Sequence, residues 1–150
     1  LGKAAGVAGG YVCGSRPLVD LLVNRARSFL FSTAPPPAQA AAATPALELI
    51  EGPEGTERRD RLHDRTRRLA SVVPGTTDPP PSPIVPWHIG AETRALEAAA
   101  HLEAAGFLAP AIRFPTVARG AARVRLTACA DHTAEQIAAL GATIAGFAPP

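Results

Sequence analysis

Apolar and polar residues follow two rhythms along this chain, one on each side of a proline-rich stretch. Before it, Leu18, Leu21, Leu22 and Val23 recur at helical spacing behind Arg16-Pro17. This predicts a helix to about Arg27, with Pro17 tolerated in the first turn. Gly9-Gly10-Tyr11-Val12-Cys13-Gly14 reads as a short buried strand between glycine turns. Ser28 to Pro37 reads as a loop ending in three prolines, and alanine-rich Ala38 to Ile50 as a helix that Pro45 kinks or divides. Gly52-Pro53 and Gly55 mark a break and a domain boundary near Glu51. Glu57 to Val73 is a strongly charged helix, in which Glu57/Arg61 and Asp64/Arg68 are acid-first pairs at the favourable spacing.

Pro74 to Pro83 has no core-forming residues and reads as a linker. Beyond it the period changes: strand Ile84 to Ile89, helix Ala91 to Ala105, strand Phe107 to Phe114, strand Arg123 to Ala128, and a last helix from Thr133 to Phe147. Gly106 stands where a glycine closes the first of these helices. Thr133 with Gln136 is a capping box that starts the second. Strands alternating with helices predict an α/β layer, one sheet covered by helices. There is no internal repeat.

A chain of 150 residues, 47% hydrophobic and 19% charged, has the length of one ordinary domain and the means to build a core. A net charge of +2 is too small for a surface built to hold nucleic acid. No apolar run reaches the roughly 18 residues of a membrane span. Two cysteines, Cys13 and Cys129, make no disulfide framework, and nothing at the start resembles a signal peptide, so the expected compartment is the reduced cytoplasm. There is no methionine, and the chain opens at Leu1-Gly2-Lys3, as expected of a fragment or a processed subunit.

Of the fifteen basic residues only Lys3 is a lysine. An amine can lose its proton and condense with a carbonyl, which a guanidinium cannot do. On composition alone, chance survival of one lysine in an arginine-biased sequence is the favoured explanation. Its glycine-rich surroundings fail as a phosphate loop, because Ala4 follows the lysine where serine or threonine is needed. The dinucleotide glycine pattern is absent too. What remains is a lysine among small residues, either a solvated turn lysine or, in a partly desolvated pocket, an imine-forming amine or general base.

Arg123 and Arg125 fall on one face of a strand, with Val124 and Leu126 on the other. They either pair with acids at an edge or bind an anion such as a carboxylate. Ser32 and Thr33 either reach a phosphate oxygen or start the helix after the prolines. The arginines of the charged helix, Arg58 to Arg68, are interleaved with Glu57, Asp60 and Asp64 without aromatic residues, so the helix reads as self-paired rather than as a nucleic-acid surface. His63, His88, His101 and His132 show no metal-ligand spacing, and no metal site is expected.

In their order and separation these segments resemble one family, the α-oxoamine synthases, pyridoxal-phosphate enzymes of the aminotransferase-like fold. Leu1-Gly2-Lys3-Ala4 with Gly6 and Gly9-Gly10 is similar to the family's cofactor-lysine motif. Phe31-Ser32-Thr33 is similar to its phosphate-contacting loop, and Pro115-Thr116-Val117 through Arg125 to its carboxylate-binding segment. The resemblance implies part of a PLP-dependent transferase of fold type I: residues 1–50 would end the large domain and 51–150 form the small C-terminal α/β domain. It implies pyridoxal 5'-phosphate as cofactor, held by Lys3, with Ser32 and Thr33 reaching its phosphate across a homodimer interface. Arg125 would clamp the amino acid carboxylate, and Arg113 would stand at the substrate entrance. Ile112-Arg113-Phe114-Pro115-Thr116-Val117 with the paired arginines is most similar to the member that condenses L-alanine with a pimeloyl thioester, on coenzyme A or a carrier protein, on the way to biotin. Glycine C-acetyltransferase and 5-aminolevulinate synthase types, or a non-catalytic α/β partner module, are the alternatives. Ala118 stands where the family usually has proline, and Thr44-Pro45 interrupts a usually unbroken helix. The family's glycine-rich phosphate turn, ring-stacking aromatic residue and ring-nitrogen aspartate precede the lysine in the family and are absent from these residues. The chain alone is therefore expected to be inactive.

Overall fold

The computed structural model describes residues 1–76 and 81–147, so Thr77 to Pro80 of the expected linker lie outside the described residues. The chain divides into two compact units, Leu1–Thr56 and Glu57–Pro150.

In the first unit, α1 (Arg16–Arg25) starts with proline in its first turn, and a single turn, α2 (Arg27–Leu30), follows where a loop was expected. The expected strand over residues 9–14 does not form: Tyr11, Val12 and Cys13 are exposed. No strand lies beside them in this unit to satisfy their backbone groups. Pro37–Glu51 forms α3, a continuous helix with Pro45 inside it, so the proline does not divide it. None of α1, α2 and α3 has a buried residue.

The charged helix α4 (Pro53–Val72) starts earlier than its charge pattern indicates, directly after Gly52. Asp64 accepts from Arg68 and Arg65 at 2.8 Å each and lies 3.9 Å from Arg67, whereas the Glu57/Arg61 pair does not form.

The second unit is built on three strands, β1 (Ile84–Gly90), β2 (Ala111–Ile112) and β3 (Ala122–Thr127), in the order β1-β3-β2. β3 is antiparallel to both neighbours. Helix α5 (Glu92–Ala104) crosses over from β1 to β2 and packs on all three strands, and α6 (Ala134–Gly146) packs on α5. β2 is far shorter than the expected strand over 107–114. Pro110 and Pro115 bracket it, and neither has an N–H to offer a ladder.

The core lies between the sheet and the helices: Val85, Trp87, Val124 and Leu126 from the strands, Leu69, Leu102 and Ile144 from the helices. Trp87 meets Phe147 edge to face at 5.7 Å. His101 on α5 bonds the Thr143 carbonyl of α6 at 3.0 Å. The two helix ends read from sequence form as expected. Thr133 and Gln136 make the reciprocal capping box. Gly106 (φ +88°) donates to Glu103 O and Phe107 to Leu102 O, the paired bonds of a glycine-terminated helix.

Candidate functional site

The candidate residues are divided between the two units. Lys3, Ser32 and Thr33 lie in the first, Arg113 and Arg125 in the second.

Lys3 sits in a tight loop that its own backbone closes. The Gly6 N–H donates to Lys3 O at 2.9 Å, and the Leu1 nitrogen donates to Gly9 O at 2.8 Å. Gly6 and Gly9 hold φ of +65° and +97°, backbone that a side chain would strain. A Cβ placed on Gly2, Gly6, Gly9 or Gly10 would touch nothing within 4 Å, so the amine stands on an open loop. Lys3 is exposed, and the partly desolvated pocket considered from sequence is not formed around it in this unit. Its ammonium has no acidic partner among the described residues.

Ser32 and Thr33 are exposed in the segment between α2 and α3. One of their two readings is removed. The residue at the start of α3 is Pro36, no side chain caps that helix, and Pro37 occupies its first turn. The hydroxyls are therefore not spent on helix initiation. A primary amine and two hydroxyls, all without a side-chain partner among the described residues, are a donor set that fits an aldehyde-bearing phosphate cofactor.

The second unit places the arginines through strand register. Val85 pairs with Leu126 and Trp87 with Val124 on the helix-covered face, while Pro86 pairs with Arg125 and His88 with Arg123 on the other. Ile112 of β2 flanks Arg123 on that same open face. Arg125 is exposed and Arg123 half-buried, and the alternation read from sequence holds along the whole strand. The Arg123 Nε donates to Ala121 O at 3.1 Å. Arg113 follows β2 directly and is exposed. Arg119 lies over the Phe114 ring at 4.1 Å from its centre.

Charge balance separates these arginines from several on the helices. Arg16 pairs with Asp20, Arg68 with Asp64 and Arg94 with Glu97. Arg113, Arg123 and Arg125 have no carboxylate partner among the described residues. Arg123 and Arg125, on one open face without a carboxylate partner among the described residues, make an anion-binding surface. His88, opposite Arg123, is a further polar group there. Sequence reading grouped it only with the other histidines, although its even position in β1 is a signal that places it on the arginine face.

The chain belongs to the aminotransferase class I and II family, whose model matches residues 1–144. Curated relatives named 8-amino-7-oxononanoate synthase resemble it along most of its length. The Bordetella petrii protein is 50% identical over 135 residues, 88% of this chain and 34% of the relative. The Methylorubrum populi protein is 49% identical over 151 residues, 99% of this chain and 38% of the relative. This chain therefore spans little more than a third of the length of the relatives it matches. Among solved structures, SPT with PLP superposes with a TM-score of 0.85 at 24% identity, covering 95% of this chain and 37% of that one. The fold is thus part of the PLP-dependent transferase architecture of fold type I, mixed helix and strand as expected.

Proposed function

We propose that this chain carries the lysine, the phosphate-contacting hydroxyls and the carboxylate clamp of an 8-amino-7-oxononanoate synthase. The reaction is the decarboxylative condensation of L-alanine with a pimeloyl thioester, carried on coenzyme A or a carrier protein. The observation that carries the reading is the arginine face of the sheet: Arg125 stands on it without an acidic partner among the described residues, as a clamp for an amino acid carboxylate must. Similarity to relatives bearing that name, over nearly the whole chain, supports the choice of reaction.

The cofactor is pyridoxal 5'-phosphate, indicated by the family and by its PLP-bound structural neighbour. Lys3 would hold it through its amine, and Ser32 and Thr33 would donate to its phosphate, from the neighbouring subunit of a homodimer. When bound it supplies an electron sink for negative charge developing at the amino acid Cα. The chain's own residues do the rest. Arg125 orients the alanine carboxylate by a two-pronged hydrogen bond and so selects the Cα bond that faces the base. The Lys3 amine takes the Cα proton. Arg113 lines the substrate entrance. Residues 1–50 are read as the end of the large domain and 51–150 as the small C-terminal domain. The glycine-rich phosphate turn, stacking aromatic residue and ring-nitrogen aspartate of the family lie outside this set, so the 150-residue chain alone binds cofactor weakly and turns over negligibly.

The test is Lys3→Ala in a polypeptide extended upstream to the relatives' length. The extended wild type shows the visible absorbance of lysine-bound cofactor and makes product, and the variant loses both. An unchanged spectrum removes Lys3 from this role.

A further inference from the structure

The second unit contains a cavity of about 330 Å³ that the proposed reaction does not use. It lies on the helix-covered side of the sheet, where Leu126 points, and so on the side away from Arg125. Its size is at the small end of ligand pockets, which run from ~300 to ~1,000 Å³. Leu69 of α4, Phe107 and Leu108 of the α5–β2 connection, and Ile137 and Leu140 of α6 supply an apolar wall. Leu108 is 92% exposed, so the cavity opens to solvent past an uncovered leucine.

Three polar groups line this wall, and local hydrogen bonding sets what each can offer. The Cys129 N–H donates to Nδ1 of His132 at 3.2 Å, which leaves the ring proton of a neutral imidazole on Nε2. The Thr133 N–H donates to Oε1 of Gln136 at 2.9 Å as half of the capping box, which turns the amide NH2 outward as a donor. Arg125 N–H donates across the β2 side of β3 to Pro110 O at 3.0 Å. Thr127, two residues on, turns its own N–H to that same side, beyond the last paired residue of β2. His132, Gln136 and Thr127 all line the cavity, and among the described residues no Asp or Glu does. The carboxylates of Asp131 and Glu135 line a separate groove with Arg61 and Arg65.

The geometry points to a binding site for an aliphatic carboxylate: a hydrocarbon chain lies along the apolar wall and its carboxylate takes the hydrogen bonds of His132, Gln136 and Thr127. Donors held in orientation at the edge of an apolar cavity, with no acid among them, complement an anion with a hydrocarbon tail. The site does not depend on the reaction proposed above, because it is built wholly within the second unit and on the other face of the sheet.

Octanoate is the probe, titrated calorimetrically into the 150-residue chain beside octan-1-ol and acetate. Octanoate is expected to bind saturably at one site, octan-1-ol at least about tenfold more weakly, and acetate not at all, since one hydrogen bond to a charged group is worth about 1.5–3 kcal/mol. Gln136→Glu keeps the capping box, because glutamate serves in that position, but replaces the amide donor with a second anion. It should weaken octanoate by about tenfold or more and leave octan-1-ol unchanged, a contrast that simple loss of folding does not produce. His132→Ala, at an exposed position, should act in the same direction. Octanoate that fails to saturate, that binds no better than octan-1-ol, or that binds Gln136→Glu as tightly as the parent overturns the proposal.

Discussion

Pro86 and Arg125 stand directly opposite each other across β1 and β3. Ala128 N donates to Pro83 O at 2.8 Å, so residues 83, 85 and 87 take the hydrogen-bonded positions against β3, and Pro86 falls between them. A proline there removes no rung of the ladder, and its missing N–H would have pointed out of the sheet edge. Arg125 turns its own N–H the other way, to Pro110 O at 3.0 Å. The strand is therefore held from both sides while the guanidinium is left to the open face.

Arg125→Ala should accordingly remove function without unfolding the sheet. In the extended polypeptide its kcat/KM for L-alanine should fall by about tenfold to a hundredfold, the loss of a charged hydrogen-bonded clamp. Its melting temperature should hardly change, because an exposed side chain with no ion-pair partner among the described residues contributes within about 0.5 kcal/mol. Steady-state kinetics at varied alanine check this, and unaltered alanine dependence refutes the clamp.

The α/β alternation after the linker was legible because each half-buried strand writes its two faces directly into alternate residues, as Arg123-Val124-Arg125-Leu126 does. The ends of α5 and α6 were legible because Gly106 and Thr133/Gln136 act locally. Tyr11-Val12-Cys13 misled because β-propensity describes a half-buried surface, and the first unit holds no strand beside these residues to complete one. The contraction of β2 follows from prolines whose cost depends on which side of the strand must donate, and that is a matter of register. The same holds for His88, whose place opposite Arg123 exists only once β1 and β3 are paired. For the site, residue types and faces were readable, but the roles of Lys3, Ser32 and Thr33 came from resemblance. The structure contributes the observation that Pro36 and Pro37, not a hydroxyl, open α3.

Asp64 predicts a pH dependence of a definite sign. The hydrogen bond from Arg68, with the charges of Arg65 and Arg67, holds its carboxyl below the ordinary aspartate value, against a smaller opposing effect of burial. A carboxyl more acidic in the folded chain than in the unfolded one stabilises the fold above its unfolded value, near ~3.9, and that contribution is lost as pH falls through the lowered folded value. Asp64→Asn should therefore melt below the parent at neutral pH, and the two should converge on acidification. Thermal melts from neutral to strongly acidic pH check this, and a parallel offset at every pH would show that Asp64 acts without its charge.

At Gly141, α6 comes close to Val72 of α4. A Cβ there would lie 2.8 Å from Cβ of Val72 and 3.0 Å from its Cγ1. Because Cβ is fixed to the backbone, no rotamer of Val72 relieves the first contact, and the helices themselves must separate. Overpacking of this kind costs about 1–3 kcal/mol, and the gain of about 1 kcal/mol in helix propensity from glycine to alanine offsets only part of it. Gly141→Ala should thus lower stability despite its better propensity. Gly146 lies in the same helix, and an added Cβ there meets nothing within 4 Å. Gly146→Ala should be neutral or stabilising by up to about 1 kcal/mol. Adding Val72→Ala to Gly141→Ala removes the Cγ contacts but leaves the Cβ in place, so it should restore only part of the loss. Urea denaturation of the two single variants and the double-mutant cycle measures each quantity. Equal effects at Gly141 and Gly146 would show that α6 can shift away from α4 at no cost, and that the glycine does not set their approach.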